Sequence, residues 1–285
     1  MSEEFPTVGL IGESALQRMT TASAIALGVE LVSLEKEIDQ DLLAKCSLVS
    51  VFGDFMSESQ VRTLETSGRT FRPTSSAMEF AKCWNATQNV NEPFDAAVSV
   101  LVALSPHGQA STWAPTGIHY DGSTSLTITP APALSPHEIG IVQRIALDLA
   151  KESGAVGVVD VEVVFAHSEP SVRHISLGPN VNGMWSIEGA RTSQFEQHLR
   201  AILDLPLGDP SLLTPFAVTG TYFGEGNMYR PYLHLMARSP GLKIHQYLSR
   251  PGQAKGHVTA MGSDLLDLRE CVTHAVEYMS GVIDE

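Results

Sequence analysis

The sequence predicts a small α/β domain at the N-terminus followed by a larger α+β region. Three observations predict this fold class. Over residues 1 to about 75, short apolar runs typical of strands alternate with segments of helical periodicity. After Phe94, apolar and polar residues alternate as in half-buried strands. The later helical segments have capping residues at their starts and glycines at their ends. At 285 residues the chain is long enough to bury one large core or two modest ones.

The first segment has the pattern of a strand, helix, strand unit. TVGLIG is a short apolar run, ALQRMTTASAIAL is a helix that ends at Gly28, and VELVSL is a second apolar run. A third run, CSLVSVFG, ends near Asp54, and SESQVRTLETSG predicts a further helix that stops at Gly68. Together these elements predict a small parallel sheet, and such sheets bind ligands at the carboxyl ends of their strands.

The stretch between Arg72 and Glu92 predicts a domain boundary. It is polar and weakly periodic, and AKCWNATQNVNEP shows no strand and no long helix. From Phe94 onward AAVSVLVAL, STWAP and SLTITPAP predict antiparallel strands separated by turns. The chain therefore changes its type of sheet across this boundary.

The second half alternates capped helices with strands. Ser135 and Glu138 form a capping box ahead of a helix that stops near Gly154, and AVGVVDVEVVF and VRHISL predict a strand pair. Ser193 predicts the cap of QFEQHLRAIL, and DLLDLRECVTHAVEYM predicts a last helix before Gly281. This order of elements is typical of an α+β region.

Composition excludes several classes of function. The net charge is -14, from 32 acidic and 18 basic residues, without a basic stripe, which argues against nucleic acid and anionic membranes as partners. No apolar stretch reaches the length of a membrane span and the N-terminus is acidic, so we expect no membrane insertion and a cytoplasmic location. The three cysteines are widely spaced, which predicts buried free thiols rather than disulfides or a metal site.

Several segments resemble one enzyme family. SIEGARTSQFEQHLRAILDLPLGD, HLMARSPGLKIHQY and PFDAAVSVLVALSPHGQ resemble carboxyaminoimidazole ribonucleotide synthetase, the ATP-grasp carboxylase of bacterial purine synthesis. VGLIGESALQRMTTASAIALG and RPTSSAMEFA are similar to segments of that family's first domain. The resemblance implies a Rossmann-like pre-ATP-grasp domain over 1–82, a short linker over 83–93, an ATP-grasp-like domain over 94–209 and a small C-terminal domain over 210–285.

The resemblance also implies that a subdomain is missing. Members of the family are longer, and the additional residues would fall between Trp84 and Phe94, where the family carries its central ATP-clamping subdomain. Phosphoryl transfer depends on positioning and on neutralising the phosphates. We therefore expect that the family's ATP and magnesium are no longer used as cofactors.

The family's ligand positions are altered in this sequence. Its glycine-rich turn reads GESAL, with Glu13 and Ser14 in place of glycines, and its magnesium-binding strand glutamate matches Glu162, whose partner falls at His174. The late phosphate-binding stretch reads PGQAKGHV, where Lys255 is one position from the expected cations. The predicted vestigial cleft consists of Glu13, Ser14, Asp54, Glu162, His174, Asn180, Asn182, Lys255 and His257.

The altered positions predict a catalytically inactive relative with no catalytic residue and no metal. We expect it to act through protein contacts, as a scaffold, regulator or assembly subunit, in a homodimer or in a complex with another protein. One alternative is a small-molecule binding protein or an enzyme of altered specificity that uses the same cleft, and another is surviving carboxylation. Glu162 and His174 are interpreted as a hydrogen-bonded pair rather than a transition-metal pair, because two ligands are too few.

Overall fold

The computed structural model describes residues 5–34, 38–52, 56–88, 94–121, 124–224, 229–247 and 253–283. Asp54, a predicted site residue, therefore lies outside the described residues. The strands are β1 Thr7–Gly12, β2 Glu30–Ser33, β3 Leu48–Phe52, β4 Phe71–Arg72, β5 Ala96–Leu104, β6 Ala110–Thr112, β7 Thr116–Asp121, β8 Thr124–Thr129, β9 Gly157–Ala166, β10 Glu169–Leu177, β11 Phe216–Tyr222, β12 Lys243–Gln246 and β13 Gly256–Gly262. The helices are α1 Ser14–Leu27, α2 Gln40–Lys45, α3 Glu58–Ser67, α4 Ser75–Thr87, α5 Pro136–Glu152, α6 Ser186–Gly189, α7 Gln194–Ile202, α8 Tyr229–Arg238 and α9 Leu265–Met279.

The first four strands form a parallel sheet in the order β2-β1-β3-β4. β1 and β3 are central and buried, since their apolar side chains lie under α1 on one side and under α3 on the other. α1 ends at Gly28, which adopts the left-handed conformation that glycine tolerates best. The predicted parallel sheet and the predicted helix stop at Gly28 are confirmed.

Helix α4 extends further than the sequence pattern predicted. Thr74 caps it by accepting from the backbone N–H of Ala77, and the helix runs through Cys83 and Trp84 to Thr87. Burial of small side chains against the larger sheet stabilises a segment whose own residues favour helix only weakly. The expected absence of a long helix in this stretch was wrong. The absence of a clamping subdomain and the domain bounds remain predictions.

The remaining strands form a nine-stranded antiparallel sheet. Its order is β10-β9-β5-β7-β8-β11-β13-β12, with β6 paired to β5. Helix α5 covers one face of β5 and β9, and α9 packs on β11 and β13. The predicted antiparallel strands and the predicted β9–β10 pair are confirmed.

The helix caps of this region follow the sequence signals. The hydroxyl of Ser135 accepts from the backbone N–H of Glu138, and the Glu138 carboxylate accepts from the backbone N–H of Ser135. Ser193 caps α7 in the same way by accepting from the N–H of Glu196. Both predicted caps are confirmed.

The two sheets are joined by a shared core and by a buried hydrogen bond. The Ser50 hydroxyl on β3 lies 2.8 Å from Nε2 of His198 on α7. Gly178, just after β10, packs closely on Phe52 at the end of β3. The loop between β10 and α6 therefore meets the carboxyl end of the small sheet, which is where the predicted cleft lies.

The cysteines occupy three different environments. Cys46 is buried, Cys271 is half-buried and Cys83 is exposed, and all three are free. The prediction of free thiols is confirmed, but Cys83 is not buried because it lies on the outer side of α4. None of the described helices is long and apolar enough to cross a membrane.

Candidate functional site

A buried carboxylate organises the loop that contains two of the predicted site residues. Asp160 on β9 is 3% exposed and accepts hydrogen bonds from Ser99 Oγ, from Asn180 Nδ2 at 2.6 Å and from Asn182 Nδ2 at 3.0 Å. The structure thus brings Asn180 and Asn182 together, as the prediction of a cleft requires. Asp160 itself was not predicted, although its position two residues before Glu162 places both carboxylates on one face of the strand.

Gln194, the first residue of α7, holds the same loop from the other side. Its Oε1 accepts from the backbone N–H of Asn180 at 3.0 Å, and its Nε2 donates to the carbonyl of Asn180 at 2.7 Å. The Asn180 backbone is therefore fixed as if it were paired in a sheet. Together, Asp160 and Gln194 fix both the side chain and the backbone of Asn180.

Glu162 forms an ion pair across the strands. It lies opposite His174 in the register of β9 and β10, and Nη1 of Arg173 is 3.1 Å from its Oε1. Burial raises the pKa of Glu162, and the adjacent Arg173 guanidinium opposes that rise. Since β10 has a register shift between Val172 and His174, both Arg173 and His174 can approach this carboxylate.

His174 is held by side chains of its own strand and of α4. Nδ2 of Asn85 lies 3.2 Å from its Nε2, and the hydroxyl of Ser176 lies 3.2 Å from its Nδ1. Asn85 also donates to the carbonyl of Ile175 and accepts from its N–H, at 2.9 Å in both cases. One side chain of α4 thus fixes both the imidazole and the outer side of β10.

These donors fit the family's magnesium poorly. Magnesium prefers an octahedron of hard oxygen ligands and is usually held by carboxylates, phosphates and water. The two positions that match the family's magnesium ligands are Glu162 and His174. They supply one carboxylate, which is already paired with Arg173, and one imidazole. The neighbouring carboxylate, Asp160, already accepts from three side chains.

Exposed apolar side chains border the Glu162–Arg173 ion pair. The Arg173 guanidinium lies 5.1 Å from the centre of the Phe94 ring, and the charges of Glu162 and Arg173 both act on Tyr120. Tyr120 is 67% exposed. We call Phe94, Tyr120, Glu162 and Arg173 the Arg173 face.

A cavity of about 720 Å³ is lined in part by His174. Its walls come from α3, α4 and the end of β10. Met78 and Leu177 contribute apolar surface, whereas Arg62 and Glu79 contribute charges of both signs. Of the predicted site residues described, His174 is the one that lines this cavity.

A second group of polar residues lies near the C-terminal strands. His245 on β12 and His257 on β13 are cross-strand neighbours, with ring centres 4.6 Å apart and planes inclined by 17°. Nε2 of His245 is 2.6 Å from Oε1 of Glu188 on α6, and the Tyr247 hydroxyl is 2.7 Å from Nδ1 of His257. Burial, together with the nearby His245, lowers the pKa of His257 well below its usual value.

This group was only partly predicted. His257 is among the predicted site residues, but Glu188 and His245 are separated from it in sequence and have no recognisable metal-ligand spacing. Lys255 is half-buried, and backbone hydrogen bonds with Tyr222 and Tyr247 connect it to this group. A strand register, which the sequence does not show directly, is what brings these residues together.

Glu13 and Ser14 lie at the start of α1 and are exposed. Burial raises the pKa of Tyr247, and the charges of Tyr222 and then of Glu13 add to this effect. We call the residues around Asp160 and Glu162 the strand group and those around His257 the C-terminal group. That the predicted residues share one cleft remains a prediction.

Comparisons with known proteins place the chain within one set of relatives. A model of the ATP-grasp domain matches residues 68–195. N5-carboxyaminoimidazole ribonucleotide synthase of Mycobacterium bovis is 40% identical over 193 residues, which cover 64% of this chain and 45% of that protein. The corresponding protein of Mycobacterium leprae is 38% identical over 179 residues, covering 59% and 41%. The chain thus spans less than half the length of these curated relatives.

Solved structures show the same fold. N5-carboxyaminoimidazole ribonucleotide synthetase from Thermus thermophilus matches with a TM-score of 0.80 and 20% identity, over 98% of this chain and 99% of that one. The enzyme of the same name from Thermotoga maritima matches with a TM-score of 0.82 and 19% identity, over 97% and 99%. At such identities the likeness concerns the fold alone. Taken with the sequence matches, it shows that this chain has an ATP-grasp fold and is similar to the N5-carboxyaminoimidazole ribonucleotide synthases.

Proposed function

We propose that this chain does not catalyse ATP-dependent carboxylation and instead acts through protein contacts, as a scaffold, regulator or assembly subunit. The observation that carries the proposal is the Glu162–Arg173 ion pair. By resemblance to the synthetase family, Glu162 matches a magnesium-binding position. In this chain the guanidinium of Arg173 is paired with it instead. A cation would have to displace Arg173, which lies 3.1 Å from the carboxylate and is itself held against Phe94.

The strand group supports the same conclusion. Asp160 could offer a second carboxylate, but three side chains already donate to it, and breaking buried hydrogen bonds to a charged group is costly. His174 offers a nitrogen ligand, which suits magnesium poorly. An energy-coupled carboxylation at this group would need ligands that these residues do not leave available.

The Arg173 face supports the role in protein contacts. Tyr, Phe and Arg side chains are enriched at the centres of protein interfaces, and this face presents one of each. Tyr120, which is 67% exposed, is its largest exposed side chain. A partner that covers this face would be a second copy of the chain or an intact N5-carboxyaminoimidazole ribonucleotide synthase from the same cell.

The catalytic part of the proposal is tested by measuring ATP hydrolysis with aminoimidazole ribonucleotide and bicarbonate, beside an intact synthase as positive control. We expect no turnover above the level of a heat-inactivated sample. Steady turnover that depends on both substrates would overturn the proposal.

The contact part is tested by analytical ultracentrifugation of the chain alone and mixed with an intact synthase. We expect a complex in at least one of these samples and its weakening by Tyr120→Ala. Ile25→Ala is the matched control, because Ile25 is 74% exposed on α1, away from the Arg173 face. A monomer in both samples, or equal weakening by both variants, would contradict the proposal.

A second candidate function is the binding of a small molecule in the cavity beside His174. The observation that favours it is the volume of about 720 Å³, which is in the range of cavities that bind ligands. Charges of both signs and an apolar wall suit a zwitterionic or amine-bearing compound. A thermal-shift screen of nucleotides, amino acids and amines tests this candidate, since a ligand at 100 times its Kd adds about 2.7 kcal/mol to the free energy of unfolding. We expect Met78→Trp, which narrows the cavity, to reduce any shift; an unchanged shift in this variant would contradict binding in this cavity.

A further inference from the structure

Three residues with metal-binding side chains meet at one point of the C-terminal group. One ligand atom each from Glu188, His245 and His257 lies within 4.8 Å of the other two. They come from α6, β12 and β13, three elements brought together by the fold rather than by the sequence. We call them the Glu-His-His cluster.

Two atoms of this cluster are buried and have no hydrogen-bond partner. They are Oε2 of Glu188 and Nε2 of His257. The His257 side chain is 0% exposed, so water does not reach it from the surface. Buried polar atoms are nearly always paired, and atoms that are not paired within the protein point to a water or an ion.

The neighbouring Tyr247 leaves one His257 nitrogen available. Its hydroxyl hydrogen-bonds with Nδ1 of His257 at 2.7 Å, and ligating histidines commonly have such a partner on the nitrogen that does not bind the metal. This partner fixes the orientation of the ring, and with the Nδ1 proton donated to that hydroxyl the lone pair of Nε2 would point into the cluster. Tyr247 is therefore a positioning residue for the His257 ring.

The donor set selects the type of ion. Two imidazoles and one carboxylate are the ligands of many zinc sites with an open fourth position, whereas magnesium requires oxygen ligands. The two rings are inclined by only 17°, so a shared ion requires one of them to turn out of the stack. His245 can turn more easily, because its side chain is 26% exposed and that of His257 is fully buried.

We propose that Glu188, His245 and His257 bind a divalent transition-metal ion of the zinc type. The ion would replace the hydrogen bond between Glu188 and His245 and would satisfy the two unpaired buried atoms. This site uses none of the residues of the strand group around Glu162 and does not depend on the function proposed above. It would tie α6 to the C-terminal strands.

The test is metal binding by the full chain, prepared without an affinity tag and stripped with a chelator. Titration with Co²⁺ is followed by visible absorption, and Zn²⁺ is measured by competition and by elemental analysis after dialysis. We expect one equivalent per chain with a tetrahedral Co²⁺ spectrum and no competition by Mg²⁺. Absence of stoichiometric binding, or competition by Mg²⁺ at equal concentration, overturns the proposal.

Variants assign the site to these residues. Glu188→Gln and His245→Gln are each expected to weaken Zn²⁺ binding by about 100-fold, and Tyr247→Phe by about 10-fold with the Co²⁺ spectrum retained. His107→Gln is the matched control, because His107 forms a similar pair with Asp204 at 2.8 Å on an exposed surface. Cys83→Ser controls for binding by the exposed thiol.

Circular dichroism and thermal unfolding of each metal-free variant separate loss of ligands from loss of fold. Both substituted ligands are partly exposed, so we expect these variants to fold. Unchanged affinity in His245→Gln, or an equal loss in His107→Gln or Cys83→Ser, overturns the assignment.

Discussion

Single residues determine how this protein responds to pH, and His198 is the clearest case. Its Nδ1 accepts from the backbone N–H of Val158 at 3.1 Å, so the neutral ring carries its proton on Nε2 and donates it to Ser50. Complete burial lowers the pKa of His198 to about 3. The folded protein therefore holds this imidazole neutral where an unfolded chain would protonate it.

We expect stability to fall as the pH decreases from about 6.5 towards 3. In that window the unfolded state binds a proton at His198 that the folded state does not, so the free energy of unfolding falls by up to about 1.4 kcal/mol per pH unit. Above pH 6.5 the contribution of neutral His198 to the free energy of unfolding is fully present. Urea unfolding at several pH values, compared between the parent chain and His198→Gln, measures the slope.

The slope should become shallower in His198→Gln but should not vanish, because His257 acts in the same direction. Equal slopes in the parent chain and in His198→Gln would show that His198 does not titrate as its burial implies.

Asp160 gives a second prediction at this scale. Asp160→Ala leaves the side chains of Ser99, Asn180 and Asn182 without their acceptor, and we expect a loss of about 2–3 kcal/mol in the free energy of unfolding. Ser99→Ala removes a single donor and should cost about 1 kcal/mol. Denaturant unfolding measures both. Similar losses in the two variants would show that Asp160 does not organise the loop.

Sequence analysis identified some of these residues and missed others. Glu162, Asn180 and Asn182 were predicted because they match family positions; Glu162 lies on β9, and the two asparagines, in the loop after β10, bond to Asp160 of the same strand. Asp160, Arg173 and Glu188 were not singled out, because their importance comes from partners distant in sequence. Register and burial, which decide those partners, are not visible in one sequence.

At the scale of elements, the first turn depends on a glycine. Gly12 ends β1 with φ of 129°, and a Cβ atom there would overlap the carbonyl of Phe52 on β3. The chain can therefore turn from β1 into α1 only without a side chain at this position.

We expect Gly12→Ala to reduce the free energy of unfolding by more than about 3 kcal/mol, since it adds a backbone overlap to an unfavourable φ. Gly68→Ala is the control, because Gly68 also has positive φ but has open space around its Cα, so it should cost about 1 kcal/mol. Thermal and urea unfolding compare the two. Equal losses would show that conformation rather than close contact determines the effect at Gly12.

Helix α4 shows why local pattern was insufficient for this element. Its C-terminal half contains Cys83, Trp84 and Asn85, which are not strong helix formers, yet Phe80 and Trp84 stack with each other and pack on the large sheet. Tertiary packing overrides the weak propensity. Elements with caps, such as α5 and α7, were predicted correctly because their signals are local.

Asn85 makes a prediction about the junction of α4 and β10. Asn85→Ala removes two hydrogen bonds to the Ile175 backbone, and we expect a loss of about 1–2 kcal/mol in stability with faster amide exchange at Ile175. Thr87→Ala, one half-turn further along the helix, should leave that exchange rate unchanged. Hydrogen exchange followed by NMR gives the rates, and slow exchange at Ile175 in Asn85→Ala would contradict the prediction.

At the scale of the whole molecule, one core joins the two sheets. Val8, Leu10 and Leu48 of the small sheet contact Met184, Phe195 and Leu199 of the larger region in a single apolar cluster. The sequence predicted both sheets but did not predict how they pack, because the contacts between them join residues far apart along the chain.

We expect the chain to unfold in one transition, because separating the sheets would expose this shared cluster. Far-ultraviolet circular dichroism reports on both sheets, while tryptophan fluorescence reports mainly on the buried Trp113 and Trp185 of the larger region. Coincident urea curves from the two probes are expected. Phe195→Ala should shift both by about 3–4 kcal/mol, and a shift in only one probe would contradict a shared core.

The amide of Asn85 also has a consequence for how copies of this chain can associate. β10 is the outermost strand at one end of the large sheet, and such strands invite another polypeptide to pair with them. Because the outward N–H and C=O of Ile175 are already bonded to a side chain, a fibre or strand-swapped dimer could not extend through that position without first displacing helix α4. Self-association of this molecule is thereby steered towards contacts between side-chain surfaces.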